Sequence, residues 1–153
     1  MTLVRKSGAK SSLADKMAKP GGRTMAEAVR AAEAGLDGHR EEGMRSLAAT
    51  LAALEAACAA REEGAETRVY DLASAFADMA GFFDTGPLYA AAFSLCETSD
   101  RMVAGGCWQW PSVEVHVRAM RLILADGCEP TETSRLLLGG LATIVARLPK
   151  QPG

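Results

Sequence analysis

The sequence predicts an all-α protein: an antiparallel bundle of about five helices behind a flexible basic N-terminal tail. Three observations carry this. Ala, Leu, Met, Glu and Arg dominate while β-branched and aromatic residues are sparse, and unbranched side chains lose little rotamer freedom in a helix. Apolar residues recur every three or four positions along most of the chain. Glycine, proline and capping residues then cut this pattern into segments joined by short loops, which imply antiparallel neighbours. With 153 residues, 48% of them hydrophobic, the chain suits one domain with a real core.

Residues 1–23 hold few apolar groups and end in Pro20-Gly21-Gly22, the composition of a disordered tail. The bundle domain is expected over 24–148. Thr24 and Glu27 form a Thr-x-x-Glu capping box that starts the first helix. Its stripe runs through Met25, Val29, Ala32 and Leu36, then resumes at Met44, Leu47, Leu51, Leu54 and Cys58. Gly35, Gly38 and Gly43 weaken the middle by about 1 kcal/mol each relative to Ala. One long helix results, or two collinear pieces with a bend near 38–43.

The second helix is expected over 66–80, with Val69, Leu72, Ala73, Phe76 and Ala80 inward, followed by a turn over 81–86. Pro87 suits the first position of a third helix that reaches about Ala104, with Leu88, Ala92, Leu95, Cys96, Ser99 and Met102 inward. Pro111 opens a fourth helix whose stripe is Val113, Val117, Met120 and Ile123 and which stops at Asp126-Gly127. Thr131 or Thr133 caps a fifth, with Leu137, Leu141, Ile144, Val145 and Leu148 inward.

Charge is unevenly spread. The first 23 residues carry Arg5, Lys6, Lys10, Lys16, Lys19 and Arg23 against Asp15, a net +5, so the net −2 of the whole chain leaves −7 on the rest. An acidic body argues against nucleic acid or an anionic membrane as its partner. No apolar run reaches the ~18 residues of a membrane-spanning helix. The four cysteines are scattered without a Cys-x-x-Cys pair, which reads as reduced, cytoplasmic and without zinc. No cofactor is expected.

Catalytic patterns are scarce. His39 lies beside Glu41 and Glu42, whose carboxylates would repel a phosphoryl group of charge near −2, so a solvated surface histidine is the favoured reading. His116 has Ser112 and Met120 one turn away on either side and no acidic or cysteine neighbour there. It is expected at or near the surface, or partly buried, without a ligand role. No phosphate-binding loop or catalytic triad is apparent. Trp108 and Trp110 are expected to cap one end of the core.

The segment from Val69 to Phe83, with Pro87-Leu88 and Ser94-Leu95-Cys96, resembles a degenerate histidine-phosphotransfer hairpin. In that pattern the histidine falls on Ser74, the lysine on Ala77 and the glycine on Asp78. Gly81-Phe82-Phe83-Asp84-Thr85-Gly86-Pro87-Leu88-Tyr89, Ser99-Asp100-Arg101-Met102, Trp110-Pro111-Ser112-Val113 and Ala125-Asp126-Gly127-Cys128 are similar to the CheE-type chemotaxis accessory proteins of Caulobacter-type bacteria. The likeness covers roughly residues 20–147.

That resemblance implies a phosphotransfer-like four-helix core that has lost its phospho-acceptor. It implies a non-catalytic regulator that binds CheY-like response regulators, or the chemotaxis histidine kinase. The partner-binding face it suggests is Asp71, Ser74, Ala75 and Asp78 on the second helix, with Ser94, Glu97 and Arg101 opposite on the third. Two alternatives stand beside it. One is an active protein, either a phosphotransfer protein using His39 or a response-regulator phosphatase using Asp78 or Glu97. The other is a structural bundle that pairs with a second copy through its first helix. The basic tail is expected to fold back on the acidic body, to steer the chain toward the acidic pocket of a response regulator, or to do nothing.

Overall fold

The structure is a computed structural model that describes residues 24–149. The expected tail over 1–23 lies outside the described residues. Among the described residues the protein is all helical: α1 (Met25–Ala60), α2 (Ala65–Phe82), α3 (Pro87–Gly105), α4 (Trp110–Ala125) and α5 (Glu132–Arg147).

α1 is one helix of 36 residues, about 54 Å long at 1.5 Å per residue. Its start is the expected capping box: the Glu27 amide donates to Thr24 Oγ1 and the Thr24 amide donates to Glu27 Oε1, each at 3.1 Å. The three glycines do not break it. Gly43 is there because Phe83 needs the space: a Cβ would stand 2.3 Å from the Phe83 ring. At its other end Arg61 turns into the left-handed region at φ 49°, and its Nε donates to the Cys58 carbonyl at 3.0 Å.

α2 runs two residues beyond its expected end, because Gly81 and Phe82 stay helical and the turn begins only at Phe83. Pro87 opens α3 as expected, and α3 closes on Gly106 at φ 62°. Thr131 rather than Thr133 caps α5, in a reciprocal pair with Ser134.

The chain divides into two compact units at Glu42/Gly43. The division falls inside α1 and not at the expected tail boundary. In the unit that begins at Gly43, α3 is the central helix and packs against α2, α4 and α5. Leu47, Leu51 and Leu54 of α1 join Phe76, Leu88, Leu95, Met102, Val113, Met120 and Ile123 in one core. Glu55 clamps Arg121 in a two-pronged ion pair at 2.6 and 3.1 Å, tying α1 to α4. Trp108 and Trp110 meet edge to face at 5.4 Å against one side of this core, with the Arg61 guanidinium over Trp110. In the other unit every residue of α1 up to Glu42 is exposed except the half-buried Ala28.

Candidate docking surface

The α2–α3 hairpin owes its surface to two helical stripes. On α3, Leu88, Ala92, Leu95, Ser99 and Met102 point into the core. Residues a quarter turn or more away face outward, which exposes Tyr89 and Phe93 as an i, i+4 pair with ring centroids 6.2 Å apart. On α2 the outward face holds Asp71, Ala75, Asp78 and Phe82. Phe82 is 81% exposed, the most of any large hydrophobic residue described. Tyr89 lies close over Gly81, where a Cβ would stand 3.1 Å from its ring. Asp78, Phe82, Asp84 and Tyr89 thereby line a groove of about 500 Å³.

The hairpin is also acidic. Over α2, α3 and their turn, residues 65–105 carry Glu66, Asp71, Asp78, Asp84, Glu97 and Asp100 against Arg68 and Arg101. Asp78 and Asp84 thus set negative charge beside Phe82 and Tyr89, while Glu97 is paired with Arg101.

The seven expected partner-binding residues do not share one face. Asp71, Ala75 and Asp78 are exposed on α2, and Ser74 is half-buried against the Cys96 thiol of α3. Burial, and then the Asp78 carboxylate, push that thiol above its ordinary value despite the Ser74 hydroxyl. Ser94, Glu97 and Arg101 turn to the opposite side of α3. Arg101 donates to the Val145 carbonyl at 2.9 Å and to Glu97 at 2.8 Å, so it fastens α3 to α5. Together with Phe93 and Leu138 these three line a separate groove of about 560 Å³.

Ser94 serves the interior. His116 is fully buried, contrary to the expectation of a partly buried or surface residue. Its Nδ1 stands 2.7 Å from the Ser112 carbonyl, and its Nε2 2.8 Å from Ser94 Oγ and 3.3 Å from Thr98 Oγ1. A carbonyl only accepts, so Nδ1 carries the proton, and in the neutral ring Nε2 accepts from the hydroxyls. Burial lowers the imidazole below its ordinary value of 6.5. Three partners found on α3 and α4 explain how a polar ring is accommodated in the core. Sequence spacing within α4 shows only Ser112.

His116 therefore has no route to a phosphoryl donor. His39 is exposed on α1. The chain has no other histidine. At the position that the resemblance aligns with the phospho-acceptor stands Ser74, and Ala77, at the lysine position, is buried. Among the described residues no group of three or more His, Cys, Asp or Glu could hold a metal ion, and no helix is long and apolar enough to cross a membrane. No disulfide joins the four cysteines.

Reading the sequence alone missed Phe82, Tyr89 and Phe93. The signal was available for two of them: Tyr89 and Phe93 fall at i, i+4 off the Leu88, Ala92, Leu95 stripe. No protein-family model matches the chain, and no curated protein or solved structure matches it.

Proposed function

We propose that the chain is a non-catalytic regulator of two-component signalling of the chemotaxis type, docking a response regulator on the α2–α3 hairpin in the cytoplasm. The observation that carries this reading is the exposure of Phe82, Tyr89 and Phe93, with the Asp78 and Asp84 carboxylates beside the first two. Aromatic side chains supply much of the energy of protein interfaces, and rim charges set encounter rate and register. The partner face must then be apolar and basic. The acidic pocket around a regulator's phosphorylated aspartate would be repelled, so docking uses another side of the regulator and leaves its phosphate alone. The resemblance of the hairpin to a phosphotransfer hairpin supports the choice of partner.

Titration calorimetry against the response regulators encoded near this gene tests the reading. One of them should bind with modest affinity, and Phe82→Ser with Phe93→Ser should weaken binding at least tenfold without changing the melting temperature. Failure of every regulator to bind, phosphorylated or not, removes the proposal.

One observation favours an active phosphotransfer role instead: His39 is exposed on a helix. Against it, Asp37, Glu41 and Glu42 lie within one turn, and no lysine does. Incubation with the labelled histidine kinase separates the two readings. Acid-labile phosphate that disappears in His39→Ala would establish the active role.

A further inference from the structure

The exposed part of α1, residues 25–42, buries almost none of its side-chain surface. Isolated helices of such length are marginal in water, and Gly35 and Gly38 weaken this one further. Yet it shows a stripe of large apolar groups: Met25 is 64% exposed, Val29 48% and Leu36 69%, with Ala32 between them. Such a stripe calls for a cover, and its layout says which one.

The spacing 25, 29, 32, 36 is four, three, four, the same read in either direction. Reversing a second copy places Met25 against Leu36 and Val29 against Ala32, then repeats both contacts by two-fold symmetry. Glu33 flanks the stripe on one edge, and Arg30 stands further round the helix on the same side. In an antiparallel pair like edges meet, so each Arg30 comes beside the Glu33 of the other copy. A parallel pair would set that charged edge against Ala28 and Gly35 instead. Antiparallel pairing also opposes the helix dipoles. Small residues on the flanks allow close approach of the two helices.

We infer that residues 25–36 of α1 form an antiparallel helix pair with the same segment of a second copy. Four layers bury less than the ~1,200 Å² at which stable interfaces begin. The pair therefore forms and separates with concentration. This contact uses none of the residues of the α2–α3 hairpin and does not depend on the response-regulator reading.

The test uses the full chain in sedimentation equilibrium across micromolar to millimolar concentration. The mass should rise toward that of two copies, and helical circular dichroism should rise with it. Val29→Asp with Leu36→Asp should hold the protein at one copy while leaving its melting temperature unchanged. Val29→Cys mixed with Ala32→Cys should yield the mixed disulfide in preference to Val29→Cys linked to itself. A constant single-copy mass at millimolar concentration overturns the inference, and so does a dimer that survives the double aspartate. Disulfide formation mainly between two Val29→Cys chains overturns the antiparallel arrangement. A single-copy mass whose helicity falls on removal of residues 1–20 would show that the chain's own tail covers the stripe, and this too overturns it.

Discussion

Between Leu47 and Cys58, α1 presents Leu47, Leu51 and Leu54 with no exposed surface at all; between Met25 and Leu36 it presents the same helical spacing to solvent. Both stretches belong to one helix and both carry an apolar stripe. The pattern dictates where a helix is amphipathic, and neighbouring elements dictate whether its stripe is buried. The packed stretch gains hydrophobic burial and the Glu55–Arg121 clamp. The exposed stretch has its capping box at Thr24 and Glu27.

The sharpest way to break this contrast is truncation. Leu51→Ala should cost about 2–5 kcal/mol, because a fully buried leucine leaves a cavity. Leu36→Ala at dilute protein should fall within ~0.5 kcal/mol of wild type, as surface changes do. Urea unfolding of the two variants checks both, and a large loss at Leu36 would mean that its stripe is packed in solution.

Glycine gives a second, smaller contrast. Gly43→Ala should cost about 1–3 kcal/mol by driving a methyl group into the Phe83 ring. Gly38→Ala meets nothing within 4 Å and should instead gain up to ~1 kcal/mol of helix propensity. Opposite signs in thermal melts of the two variants are the expected result.

These glycines also mark where sequence reading reaches its limit. Three glycines in one stretch suggested a bend, yet nothing in the string showed that Gly43 makes room for a ring forty residues away. The helices themselves were legible because capping boxes, Pro87 and the apolar period are local signals. Helix contacts are not local. The resemblance sets Ser94 on a docking face, but the His116 imidazole, presented by another helix, claims its hydroxyl. Arg101 was placed there too, and the Val145 carbonyl holds it to α5. Asp71, Ala75 and Asp78 were placed outward correctly, since a helical wheel suffices where no neighbour intervenes.

The smallest effect concerns acid, which should act on the packed region through His116. Its imidazole binds a proton less readily folded than unfolded. The unfolded state therefore takes up more protons below pH ~6.5, and stability falls with pH from there through the folded value. Melting temperatures measured between pH 8 and pH 5 should decline at the acid end. His116→Gln should lose stability overall and flatten that decline, and an unchanged slope would assign the acid sensitivity to other groups.

The docking proposal is tested most directly by a nuclear magnetic resonance titration of the isotope-labelled chain with the response regulator it binds. The account predicts that shifts concentrate on Asp71, Ala75, Asp78, Phe82, Asp84, Tyr89 and Phe93, and that the resonances of His116 and of the core stay in place. Shifts confined to residues 25–42, or to Ser94, Arg101 and Leu138 with Phe82 and Tyr89 unmoved, would contradict it.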